Sequence, residues 1–515
     1  MKKLFVFALV FAAFALSALS DIPASEQQAI DDLTALCSSA PTYTVTDGHV
    51  TELKAESKGL TSLPESIGNL VYLEKLYLYN NKIEALPASI GNLTRLKEVE
   101  LSKNRLTSLP DIIGNLTGLE TLEVWGNKLE TLPASIGNLT NLTSIVLEDN
   151  RLESLPSSIS NLTGLETLNL RNNRFGEFPA CVCGMTGLKR LMVWGNQLES
   201  LPTGIGNLTN LIYLDVSNNM LTSLPDTIGN LTNLTSLDIR ANKFTTVPNT
   251  IGNLTNLTSL DISDCELTLL PDTIGNLTQI TSLSLDGNKL ESLPASIVNL
   301  TNLETLYIYN NLFTTLPNAV CSLTWLKKLN VNGNRLKYLP ANIGNMTSLQ
   351  RLSVNNNRLL ALPDSIGNLT NLIYLNAEEN CLTSLPNSIA NLKNNDWDTG
   401  LTLPTNPNFK HNYLTLDELK KILSNQEANW QIDDQYLTQD QVLEQLTTAL
   451  GHAPNYDTDD DGLIYLLDLS DCGLSSLPDC IAQLPALEYL FANNNNISLV
   501  PSWIKDLKNL TTLEL

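Results

Sequence analysis

The chain has 515 residues and a formal net charge of −23 at pH 7. Such an excess of carboxylates argues against nucleic acid and anionic membrane surfaces as partners, and it suits a basic ligand, a cation or plain solubility. The three histidines, His49, His411 and His452, belong to no motif. No nucleophile elbow, phosphate loop or zinc motif is present, so the sequence offers neither a catalytic residue nor a cofactor site and reads as non-enzymatic.

In chain order, Lys2 and Lys3 precede an apolar run from Leu4 to Leu16, and Ser17-Ala18-Leu19-Ser20 leads into Asp21. Charged, apolar and small-residue regions in that order predict a secretory signal peptide over residues 1–20. The run is too short to span a membrane, and no other segment approaches a spanning length. No cysteine follows the expected cleavage point, so a lipid anchor is not indicated. Without Lys2 and Lys3 the charge becomes −25. A soluble chain outside the cytoplasm is expected, secreted or extracellular, and periplasmic or at the cell surface in a bacterial host.

Residues 21–62 read as an N-terminal cap. Ala29, Ile30, Leu33 and Leu36 form an apolar stripe that predicts a helix over 25–38, and Asp47-Gly48 between β-prone residues predicts a hairpin. From Pro64 to Pro386 the prolines then recur every 23 residues without an insertion. One unit shows why. Ile67, Leu70 and Leu73 lie three apart, on one face of a helical turn that Pro64 starts without needing an N–H. Leu76 and Leu78 lie two apart and point the same way from a short strand. One unit cannot bury its leucines alone, and stacked units share a continuous core. Asn81 closes the strand segment and recurs through Asn380, with Cys265 in one place. An amide there both donates and accepts, which predicts a structural ladder between coils.

The pattern Leu-Pro-x-x-Ile-Gly-Asn-Leu-x-x-Leu-x-x-Leu-x-Leu-x-x-Asn-x-Leu resembles the leucine-rich repeats of the Ras-suppressor, Scribble and plant Ras-group class. The resemblance covers about 350 residues, taken as the array over 63–411. It implies an α/β leucine-rich-repeat solenoid, a horseshoe with a parallel concave sheet and short helical turns on the convex side. It also implies partner proteins bound on the concave side. Members of that class are largely intracellular, so their partners are not carried over.

Residues 412–452 read as a helical connector and second cap. Thr415 to Glu418 and Thr438 to Gln441 both spell capping boxes, and Leu443 and Leu446 match Ile30 and Leu33. Ala453-Pro454-Asn455-Tyr456 and Asp461-Gly462 repeat the first cap's hairpin, so a second short array is expected over 453–515. Leu401, Leu403 and Asn406 look like a last irregular coil of the first array. The sequence stops at Leu515 inside an expected strand, which makes self-association through that edge a further expectation.

The eight cysteines suggest no disulfide framework: Cys181, Cys183, Cys321 and Cys480 replace Ser or Gly of the repeat, and Cys265 and Cys472 its Asn. Asp457, Asp459 and Asp461, with Gly462, spell the first half of a calcium loop, and Asp468 falls at its twelfth place. The competing reading gives Gly462 to the hairpin and Asp468 to a strand. Recurrent Asn-Leu-Thr matches a glycosylation acceptor, and equally the local hydrogen bonding of a bend.

The residues flanking the strand leucines should face away from the core. They vary where the leucines do not. Tyr77, Tyr79, Trp125, Met192, Trp194, Tyr213, Tyr307 and Tyr309 place apolar groups there, and Asp215, Asp238 and Asp261 place three carboxylates 23 residues apart. These residues are the candidate concave ligand-binding surface, for a protein, peptide or glycan. The alternative is a structural or adhesive surface protein that acts by self-association or multivalency.

Overall fold

Each coil starts at its proline. Pro225 has φ −68° and ψ 148°, and Asp226–Asn230 follows as a 3-10 helix. Its bonds run from Ile228 N–H to the Pro225 carbonyl (2.9 Å) and from Leu231 N–H to the Ile228 carbonyl (3.1 Å). The expected helical turn is thus the tighter kind, which spans more length per residue and fits a short coil. Gly229 is required by close stacking, because a Cβ there would lie 2.6 Å from the Thr250 carbonyl oxygen of the next coil.

The strand follows. Ser236–Asp238 pairs in parallel with Tyr213–Asp215 on one side and Ser259–Asp261 on the other, leucine beside leucine. Beyond each strand the chain turns through the left-handed region, at Asn218 (φ 50°) and Ala241 (φ 51°) for example. The ladder amide then ties the coils. The Asn219 side-chain N–H donates to the carbonyls of Val193 (3.1 Å) and Val216 (3.0 Å), and its Oδ1 accepts from Leu198 N–H (3.0 Å). Cys265, at the same place, has a thiol that lies 3.4 Å from the Ser263 carbonyl and 3.7 Å from the Ile239 carbonyl.

The computed structural model describes residues 22–394, 408–410, 412, 414, 439–459, 462–484 and 486–515. The expected signal peptide, the coil at Leu401, Leu403 and Asn406, and the capping box at Thr415 therefore lie outside the described residues. The chain forms two compact units, Met1–Glu266 and Leu267–Leu515.

The first unit opens with the helix Ala24–Leu36, which buries Ala29, Ile30 and Leu33. Leu36 is 46% exposed, so the apolar stripe stops one turn earlier than its spacing suggested. The helix also buries Glu26, whose carboxylate accepts from Val50 N–H (2.8 Å) and pairs with His49 Nδ1 (2.6 Å). The antiparallel hairpin of Thr42–Thr46 and His49–Lys54 follows, and its second strand starts the parallel series at Lys75–Tyr77. That series runs in chain order to Ser259–Asp261. Its core is the leucine and isoleucine stack, Ile67, Leu70, Leu73, Leu76 and Leu78 being fully buried in one coil.

The second unit is built from the same coil. Parallel strands run from Ser282–Ser284 to Tyr374–Asn376, and Asn376 bridges Asn408. Asn412 takes the ladder place there: it donates to the Ala377 carbonyl (2.9 Å) and accepts from Leu382 N–H (3.0 Å). The helix Gln439–Leu450 buries Val442 and Leu446, and Leu443 packs partly buried against the same core. Asn455–Thr458 and Ile464–Asp468 form an antiparallel hairpin, followed by parallel strands Tyr489–Phe491 and Thr512–Glu514. No helix among the described residues is long and apolar enough to cross a membrane. The eight cysteines are all free; Cys183, Cys265, Cys321, Cys381 and Cys480 are buried, whereas Cys37, Cys181 and Cys472 are partly exposed.

Candidate ligand-binding surface

On the open face of the first unit's sheet, three columns of side chains run across the coils: the first strand residue and the pair that flanks the second leucine. Near the N-terminal end, the rings of Tyr79 and Trp125 lie 5.9 Å apart, tilted by 47°. The Lys103 ammonium stands 5.5 Å from the Tyr79 ring and 4.9 Å from the Trp125 ring. Tyr77 donates its hydroxyl to Glu98 (2.6 Å), and Lys75 pairs with the other oxygen of Glu98 (2.8 Å). Burial, then Glu98, push the Tyr77 phenol upward. Beside them, burial and the hydrogen-bonded carboxyl of Glu100 push Glu123 up to about 7. Period-two reasoning places Glu100 and Glu123 side by side on adjacent strands but misses Lys103. Lys103 sits at the left-handed turn outside the strand, so alternation gives it no direction.

Further along, the three carboxylates stand in register, Asp215 beside Asp238 and Asp238 beside Asp261. They are not equivalent. Asp215 is 3% exposed. It is bound by the Arg171 guanidinium (2.6 Å) and by the Ser217 hydroxyl (2.6 Å) and N–H (3.2 Å). Asp261 likewise accepts from the Ser263 hydroxyl (2.6 Å) and N–H (2.9 Å). Asp238 has weaker support: its Oδ1 accepts from Arg240 N–H (3.2 Å), and the Arg240 guanidinium is 3.6 Å from it and 3.8 Å from Asp261. Burial, then Asp215 and Asp261, push the Asp238 carboxyl up to about 6, against the pull of Arg240. Tyr213 carries the Arg190 guanidinium at 4.6 Å from its ring. Trp194 is half-buried on the same face.

Two candidates are therefore corrected. Met192 is 7% exposed and belongs to the packed layer, because its flexible chain folds down among its neighbours. Asp215 is consumed by Arg171 and Ser217. Both sit at outward strand positions, and what buries them is the length of neighbouring side chains, which alternation does not encode.

In the second unit, Tyr307 and Tyr309 meet edge to face with centroids 6.3 Å apart. Tyr307 lines a cavity of about 180 Å³ with Lys328, Arg351 and Tyr374, and Arg351 lies 5.4 Å from the Tyr374 ring. The lining of this cavity carries two cations, Lys328 and Arg351, and no carboxylate. Among the described residues no three His, Cys, Asp or Glu side chains gather to hold a metal ion. Of the calcium-loop aspartates, Asp459 accepts from Leu463 N–H (3.0 Å) and pairs with Lys337 (3.5 Å), Asp457 lies in the hairpin strand, and Asp461 lies outside the described residues.

A family model described as a leucine-rich repeat region matches residues 136–219, 205–287, 251–332, 273–357 and 318–448, and a leucine rich repeat model matches 71–129. A search of the curated proteins finds no match to the sequence. Among solved structures, a leucine-rich repeat protein of Leptospira interrogans is 30% identical with a TM-score of 0.63, covering 79% of this chain and 98% of its own. The functional domain of InlJ from Listeria monocytogenes is 22% identical with a TM-score of 0.51, covering 70% of this chain and 73% of its own. YopM from Yersinia enterocolitica is 22% identical with a TM-score of 0.50, covering 97% of each.

Proposed function

The chain belongs to the leucine-rich repeat family, and from that premise we propose that it is a secreted, non-catalytic binding protein whose ligand is a protein or peptide held on the open, concave face of the sheet. The 23-residue unit resembles the Ras-suppressor and Scribble class, while the charged, apolar and small-residue order of residues 1–20 supports export. N-terminal sequencing of the exported product tests export: a start at Asp21 agrees with it, and a retained Met1 contradicts it.

One observation carries the binding reading. Asp238 is held on an outward strand position where burial and two neighbouring carboxylates disfavour its charge, with one loosely placed guanidinium to offset them. Folding alone gains nothing from that arrangement, whereas a cationic group arriving on the face relieves it. Trp194 and the Tyr79–Trp125 pair supply rigid apolar contact area on the same unit. The ligand that fits is a peptide segment carrying a Lys or Arg beside an apolar side chain. Selection from a random displayed-peptide library against the full chain tests this. Enrichment of such segments supports the reading, and enrichment of acidic segments or of none opposes it.

A further inference from the structure

The second array packs against the flank of the coils around Lys337, Arg358 and Cys381, within the second unit. The repeat departs from its own pattern at this flank. Lys337 and Leu360 occupy a column that holds Glu, Thr or Gly in the other coils from Glu84 to Thr383. Cys381 occupies the column of Arg335 and Arg358. The second array touches these irregular residues, together with Arg358 and Glu379. Lys337 pairs with Asp459 (3.5 Å), Arg358 with Glu488 (3.4 Å) and with Asn509 Oδ1 (2.6 Å), and Glu379 with Lys508 (2.8 Å). The apolar part is small: Cys381, Leu463 and Ala486, with Leu360 packed against them.

We propose that this contact is a releasable clamp, through which the second array docks on the first and from which it detaches without either array unfolding. The second array has its own core, in which Val442, Leu446, Leu467, Ile481 and Leu490 are buried apart from the docking cluster. Its cohesion therefore does not depend on docking. The clamp is polar and partly exposed; the Lys508 and Glu379 side chains are 55% and 37% accessible. Ion pairs of that kind are weak and salt-screened. Arg358 Nε is buried without a hydrogen-bond acceptor among the described residues, which weakens the clamp further. Detachment is thus a local opening of lower free energy than global unfolding.

Cys381 reports the opening. It is 1% exposed, and burial pushes its thiol up to about 12, so it is inert while docked. Cys321 is equally buried, likewise pushed to about 12, and belongs to a coil core away from the clamp. Maleimide labelling of the full chain, read peptide by peptide by mass spectrometry, is the test. Raising NaCl from 0.1 M to 1 M shortens the screening length from about 10 Å to about 3 Å. Cys381 labelling is expected to rise by about tenfold while Cys321 stays protected. Arg358→Ala should bring the same rise at low salt. Labelling of Cys381 that ignores both salt and Arg358→Ala, or that rises only together with Cys321, overturns the proposal.

Discussion

The ladder amide shows what one residue does when its atoms meet the same partners in every coil. Asn219 joins four backbone groups from two coils through one side chain, and it is buried. Asn219→Ala leaves the Leu198 N–H and three carbonyls without that partner, and the expected cost is about 1–3 kcal/mol. Thermal unfolding of the variant checks it; an unchanged midpoint would count against the ladder. Cys265 is the converse experiment, already present in the chain. Its thiol reaches two carbonyls at 3.4 and 3.7 Å. A thiol is a weaker donor and acceptor than an amide. Cys265→Asn should therefore stabilise the fold by about 1 kcal/mol, read as a higher denaturant midpoint with an unchanged slope. The ladder was legible in the sequence because the amide recurs at fixed spacing and its chemistry suits both roles. Glu26 in the cap was not legible, since nothing in a short amphipathic helix says that its carboxylate will meet His49 and Val50 N–H.

At the scale of the strands, parallel register decides which charges share a neighbourhood. Residues 23 apart become side-by-side partners, so three aspartates spread along the sequence become one row. Asp238 lies at its centre and is pushed up to about 6. A carboxyl whose folded pKa is raised holds its proton longer when folded than when unfolded, so stability falls as pH rises from the unfolded value of about 3.9 through about 6. Asp238→Asn removes that penalty. The variant is expected to exceed the parent by about 2 kcal/mol at pH 7 and to lose the advantage near pH 4. Urea unfolding at both pH values checks this; a variant no more stable than the parent at pH 7 removes the electrostatic argument. The row was readable from spacing alone, but its inequality was not. Arg171 comes from two coils away to neutralise Asp215, and Ser217 and Ser263 bond their own strand's carboxylates, which leaves Asp238 as the poorly compensated member. Side-chain length and direction, not period, made that choice.

For the molecule as a whole, strict periodicity made the fold legible and hid the site. Leucines at fixed places state the solenoid outright, and the family matches agree with it. A binding surface, by contrast, is written in the residues that vary, and variation carries no rule for what becomes buried. Met192 shows the consequence, as it lies at an outward position yet within the packed layer. The same logic raises interest in departures from the repeat, such as Lys337 and Leu360, because a residue that the coil does not need has another reason to be there. On the open face, Asp238 and Trp194 remain after the structural demands on their neighbours are met. Calorimetric titration of a library-selected basic peptide onto the parent, Trp194→Ala and Asp238→Asn tests the central claim most directly. Trp194→Ala should weaken binding by about 2 kcal/mol or more. Asp238→Asn should weaken it at low salt and much less at high salt, although the variant itself is the more stable protein. Binding by both variants as tight as that of the parent would place the ligand elsewhere and contradict the account.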